Sequence, residues 1–256
     1  MIAESIAVRS ATFAFLFPTQ PELKREDNLH FYDKVTSSGV DLPEFQQRQN
    51  QVLLRRVTAG TPPHAFAIQI DHFKQQLRFL ISEEFPRRPL ELIQEDADSA
   101  WEAFRQIWSL ERLGGRPILA EVTMRSTAAA EGGNATKYLL DRVLKVSHTG
   151  LHKLGRQVQG LGLRLVLPVQ LGVGDKVVPL AGADGNLLIE TLLDDPSKVF
   201  LQLTSKWPTL SIPPGVGPPG IPRDVNAEIR KPSQYLQDVY DFLHGSVTEF
   251  ILEAAK

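Results

Sequence analysis

The chain has 256 residues, 42% hydrophobic and 23% charged, with a formal net charge of −2. That balance excludes a chain disordered throughout and a protein coated in positive charge for nucleic acid. No cysteine is present, which removes disulfides, cysteine-based zinc and iron–sulfur sites and a thiol nucleophile, and fits a cytoplasmic protein.

The N-terminal stretch MIAESIAVRSATFAFLFPTQ carries Glu4 and no basic cluster before its apolar run. That run is far short of the about 20 residues a bilayer span needs, so neither a signal peptide nor a membrane segment is expected. Residues 5–17 alternate instead, with Ala11, Phe13, Phe15 and Phe17 on one face and Ser10 and Thr12 on the other, which predicts a strand. Residues 18–50, polar and with Pro18, Pro21 and Pro43, predict a long excursion with room for a short helix. Strands follow at 51–58, 65–70 and 76–82, separated at 59–64 by a Gly- and Pro-containing turn, as in an antiparallel meander. Pro86 and Pro89 close it.

A helix is predicted over 90–113, where Ile93, Ala97, Trp101, Phe104 and Trp108 recur at three- and four-residue steps. Glu91, Glu95, Asp98 and Glu102 form an acidic stripe on it, and Gly114-Gly115 supplies the stop. The second half reads as a strand over 117–127, a helix over 134–159, and strands over 163–170, 186–193 and 198–207. GVGDK and GADGN are the expected turns, the latter through its Asp-Gly pair. A proline-rich loop over 208–222 leads to a last amphipathic helix from Pro232. Both halves run strand, excursion, strands, helix, with Phe85-Pro86 and Trp207-Pro208 ahead of each helix. The expected class is α+β: a mainly antiparallel sheet covered by amphipathic helices, with a two-fold pseudo-repeat of halves 1–115 and 116–256 merged in one core or standing as two subdomains.

Candidate chemistry centres on residues 132–160. Lys145, His148, His152 and Arg156 fall at steps of three and four, so on a helix they share one face. Two histidines at i and i+4 can chelate a metal, but no glutamate follows His148, no third ligand is evident and two cations flank the pair, so no metal is expected. The same four residues form a basic stripe suited to an anion, a nucleic-acid backbone or an acidic partner; the acidic stripe at 91–102 could complement it. GGNATK lacks the phosphate-loop pattern and reads as glycines before an Asn or Thr helix cap. LGVGDKV lacks the third glycine of a dinucleotide fingerprint, and there is no G-x-S-x-G elbow. The acid pairs Glu83-Glu84 and Asp194-Asp195 sit at a strand end and in a turn; His30, His64, His72 and His244 are scattered.

The segments FAIQIDHFKQQLRFLISEEFP, LLIETLLDD and YLQDVYDFLHGSVTEFI, in this order, resemble a poorly characterised, sporadically distributed group of bacterial proteins built of two pseudo-repeats and placed in toxin–antitoxin or phage-defence neighbourhoods. ILAEVTMRST stands where that group has a tyrosine-rich strand. The resemblance implies no established activity and transfers no site residue.

These readings predict an interaction or binding protein with a protein partner or self-association as a homodimer, working through a sheet edge, the basic stripe or the proline-rich arm. They predict no cofactor and no membrane. The rival is an enzyme or small-ligand binder with a pocket between sheet and helices, near Phe13, Phe15, Phe66, Phe79, Trp101 and Phe104. Nucleic-acid binding through the basic helix face is the third.

Overall fold

A computed structural model describes residues 5–145, 158–173, 176–208 and 229–254, with only the backbone described at 168–173, 176–184 and 208. Among these residues nine strands form a single antiparallel sheet: β1 (Ala7–Phe17), β2 (Glu44–Arg48), β3 (Gln51–Thr58), β4 (His64–Phe73), β5 (Gln76–Glu84), β6 (Leu119–Ala129), β7 (Gly162–Val173), β8 (Lys176–Thr191) and β9 (Lys198–Pro208). Their order is β2-β3-β4-β5-β1-β6-β9-β8-β7, so β1 and β6 lie side by side and each pairs on its other edge with the last strand of the meander that follows it. The sheet therefore runs unbroken across the boundary expected near residue 115.

Alternation along β1 divides the sheet into two unlike faces. Phe13, Phe15 and Phe17 are buried, and the register extends their face as one row, Val52, Ile70, Phe79, Phe15, Ala120 and Trp207. Helices α1 (Arg25–Ser37), α2 (Leu90–Ile107), the single turn α3 (Ala135–Tyr138), α4 (Pro232–Asp241) and α5 (Val247–Ala254) supply the cover. Trp101 of α2 meets Phe15 at 4.7 Å between ring centroids, Tyr235 of α4 meets Trp207 at 5.0 Å, and Phe31 of α1 meets Trp108 at 5.5 Å. The six aromatics expected to line a pocket between sheet and helices are all fully buried core, and Phe79 and Phe104 pack at 4.7 Å.

Several boundaries depart from the sequence reading. β2 (EFQQR) has no apolar alternation to announce it and sits at the sheet edge, half-buried to exposed. α2 stops at Ile107 rather than at residue 113, because Trp108 turns extended (φ −109°) to bury its ring. Gly114 and Gly115 do turn left-handed, at φ 74° and 114°, but end a loop, not the helix. GADGN is no hairpin turn: β8 runs through it, and its pairing with β7 jumps from Pro168–Asp184 to Gln170–Pro179, so the extra residues are taken up in a bulge. Of the helix expected over 134–159, the described part is capped by Asn134, whose Oδ1 accepts from Lys137 N at 2.8 Å, widens into a π-type turn over Leu139–Leu144 and reaches a left-handed Lys145; residues 146–157 lie outside the described residues.

Phe15 sits where β1, α2 and α4 converge, touching Phe13, Trp101 and Tyr235. Phe15→Ala is expected to cost about 3–5 kcal/mol. A urea melt reading less than about 1 kcal/mol would contradict this central placement.

Candidate functional site

Of the predicted basic stripe, only Lys145 lies within the described residues; His148, His152 and Arg156 lie outside them. Lys145 is exposed and left-handed (φ 50°), at the C-terminal end of the described helical segment. The proline-rich segment lies outside the described residues from 209 onward. The acidic stripe finds partners within the chain: Asp98 accepts from the Ser233 backbone N at 3.0 Å and its hydroxyl at 2.7 Å, and Glu102 lies 3.6 Å from Lys231. These contacts tie α2 to the start of α4.

Two clusters of ionisable or nucleophilic groups lie on the helix-covered face. At one end of the sheet, Glu83 is fully buried between Phe66 and Ala11 in the pairing register. Arg88 grips it with two bonds, Nε to Oε1 at 3.0 Å and Nη2 to Oε2 at 2.8 Å, and also reaches Asp96 of α2. His64 Nε2 lies 2.5 Å from Glu83 Oε1, and the Arg88 guanidinium stacks 4.9 Å from the centre of the Phe66 ring. Burial opposes the Arg88 charge, but the bonds to Glu83 and then Asp96 outweigh it and raise its pKa above the ordinary value. Glu84, the next residue, faces the opposite side of the sheet, so the two carboxylates do not act as a pair. The cluster bolts the β5–α2 connection, in which Phe85 is held left-handed at φ 51°.

The second cluster joins Ser126 of β6 to His244, in a π-type turn (Phe242–Ser246) between α4 and α5. Ser126 Oγ and His244 Nε2 are 3.0 Å apart, Ser126 is fully buried, and His244 stacks on Tyr240 at 4.1 Å. Burial lowers the His244 pKa from 6.5 to about 4, so the imidazole is neutral near pH 7. A serine beside a neutral base has the elements of a nucleophile, but a hydroxyl sealed in the core meets no substrate.

The other face of the sheet has no helix over it among the described residues. Its side chains form polar pairs across the strands: Glu44 with Arg55 at 2.8 Å, Asp71 with Arg78 at 2.6 Å, Thr123 with Thr204 at 3.0 Å, Arg125 with Gln202 at 2.9 Å, and Arg164 with Asn186 at 2.8 Å. At its centre one row of the register runs Leu80, Ala14, Glu121, Lys206 and the next runs Ser82, Thr12, Thr123, Thr204. Small residues there leave a depression of about 310 Å³, floored by Thr12, Ala14 and Thr123 and rimmed by Arg78, Glu121 and Lys206. Ala14 is only 7% exposed although no described helix covers it, which shows how far the flanking side chains enclose it. A larger trough of about 680 Å³ separates α1 from α2 near His30, Asp33 and Glu102, but it is open to solvent, and Asp98 and Glu102 on its wall are already engaged by α4.

No family model matches the chain, and no curated protein matches it. Among solved structures it is similar to DynU16, a protein of the dynemicin biosynthetic locus, with 8% identity and a TM-score of 0.27 over 97% of this chain and 99% of that one. At that score the likeness decides neither fold nor activity. Among the described residues no helix is long and apolar enough to cross a membrane, and no group of three or more His, Asp or Glu is placed to hold a metal. Sequence reasoning noted Glu83, His64 and His244 separately but not their partners Arg88 and Ser126, and it missed the depression.

Two outcomes test these assignments. Glu83→Ala leaves Arg88 and His64 without their carboxylate and is expected to cost about 3–5 kcal/mol, whereas Glu83→Met with His64→Leu and Arg88→Met restores most of it. Equal losses in both, by urea melts, would contradict a bolt made of mutually dependent charges. For His244, the unfolded chain takes up a proton below pH 6.5 that the folded chain refuses until about pH 4. Its contribution is thus complete above 6.5 and is lost as pH falls through about 4. His244→Gln is expected to flatten that part of the melting-temperature profile; parallel profiles for the two proteins would contradict it.

Proposed function

We propose that the chain is a binding protein whose working surface is the helix-free face of its sheet. The observation that carries this reading is the one-sided cover: among the described residues, the helices lie on one face of the nine-stranded sheet, and the other is helix-free, polar and hollowed at its centre. A wide uncovered sheet face is an extended rigid platform, on which side chains are held in fixed rows by the register. Its charges are largely paired, which favours a specific partner over a generic polyanion. The reactive groups on the covered face are buried, which supports recognition over catalysis. The reading takes the partner to be a protein or a second copy of the chain, in a cytoplasmic setting that the lack of cysteine fits.

We also propose that the sheet is a two-fold pseudo-repeat. Its support is the matching order: β1 and β6 each pair with the last strand of the following meander and with each other. The sequence resemblance to two-repeat bacterial proteins of toxin–antitoxin or defence neighbourhoods accords with this and is held at the same level.

The test compares two surfaces in a quantitative pull-down from source-cell lysate. Thr123→Arg places a bulky cation in the centre of the open face; Glu95→Arg alters the outer side of α2. The proposal expects a partner retained by wild type and Glu95→Arg and reduced at least about tenfold by Thr123→Arg, a change of about 1.4 kcal/mol. A partner lost only with Glu95→Arg, or retained by both variants, contradicts it.

A further inference from the structure

We propose that the depression in the helix-free face binds a small organic anion, a phosphate or carboxylate carried on a planar ring. The inference rests on the reading that this face is the working surface and names what its centre takes.

Size comes first. A volume of about 310 Å³ admits one small molecule and not a folded segment; small-molecule sites begin at about 300 Å³. Charge comes second. Lys74, Arg78 and Lys206 line the depression against the single carboxylate of Glu121. Lys206 lies 3.5 Å from Glu121, a loose pair in which both side chains remain more than a third exposed. Asp71, beside the depression, takes Nε and Nη2 of Arg78 at 2.9 and 2.6 Å and leaves Nη1 out of the pair. Lys74 has no carboxylate at ion-pair distance among the described residues. The lining therefore has cationic capacity that its own acids do not absorb, and an incoming anion supplies the balance.

The third observation is the turn that carries Lys74. β4 and β5 are joined by Lys74 and Gln75, both left-handed, at φ 48° and 65°. Asn-Gly adopts such a turn with little strain, whereas a Lys-Gln pair holds it against the steric preference of both side chains. That strained tip places Lys74 and Phe73 at the mouth of the depression, with the Lys74 ammonium 5.2 Å and the Arg78 guanidinium 4.7 Å from the Phe73 ring centre. An aromatic ring flanked by two cations suits a ligand that joins a flat apolar part to a negative group. The Thr12 hydroxyl on the floor adds a neutral donor, while that of Thr123 is paired with Thr204.

The probe is phenyl phosphate, titrated into the full chain labelled with ¹³C at alanine and threonine methyl groups, with inorganic phosphate and phenol as comparisons. The expected result is a saturable shift of the Ala14, Thr12 and Thr123 methyl signals, tighter for phenyl phosphate than for either part. Lys74→Ala with Lys206→Gln, which leaves the core and the Arg78–Asp71 pair intact, is expected to weaken binding at least about tenfold. Absent shifts at these methyl groups, or unchanged affinity in the double variant, overturn the inference. If the methyl groups stay silent while Thr123→Arg still releases the lysate partner, the anion site fails and the face-binding reading stands. If they respond while the partner is indifferent to Thr123→Arg, the anion site stands and the protein-partner reading fails.

Discussion

Everything in this molecule depends on the two-faced character of the strand at the centre of the sheet. Phe13, Phe15 and Phe17 on one side of β1 are fully buried; Thr12 and Leu16 on the other stay half-buried. Hydrogen bonding on both edges of β1, to β5 and β6, carries this asymmetry outward strand by strand, because antiparallel register preserves the face of every side chain. A shift of one residue anywhere along these pairings would send an aromatic row into solvent.

The helices follow from that constraint. Trp101 and Phe104 of α2 stack against the phenylalanine row, and Tyr235 of α4 closes over Phe13 and Phe15 from the second half of the chain. Polar contacts between α2 and α4, such as Asp98 with Ser233 and Gln94 with Gln237, fix the two covers relative to each other. With burial concentrated on one face, the opposite face is free to carry polar pairs and a central hollow. The buried Glu83–Arg88 pair and the Ser126–His244 contact belong to the cover, where they hold the strained β5–α2 link and the π-type turn before α5.

Much of the architecture was legible in the sequence because half-buried strands write a period of two and amphipathic helices a period near four. β1, β3 to β6 and β9, the core of α2 and the last helix appear within a few residues of their expected spans. β2 was silent because Glu44–Arg48 carries one apolar residue, Phe45, and no alternation, and β8 was cut short because Asp184-Gly185, whose turn chemistry misleads, is paired in register beside a bulge. Within the expected helix 134–159, periodicity does not report the left-handed turn at Lys145; residues 146–157 of that span lie outside the described residues. The central depression could not be read at all: Thr12, Arg78, Thr123 and Lys206 lie far apart in the chain and meet only through the register of four strands. Arg88 likewise looks like one of two arginines in a proline-flanked link until Glu83 is placed beneath it.

The most direct test of the central claim is hydroxyl-radical footprinting of the purified chain and of the same chain inside its source cells. Leu16, Leu80 and Leu119 report the helix-free face; Leu54, Leu77 and Leu201 report the covered one. The account predicts that the first set reacts readily in the purified protein and is shielded in cells, while the second is shielded in both. Equal reactivity of the two sets in the purified protein would contradict the one-sided cover, and an open face as reactive in cells as in isolation would contradict its role as the working surface.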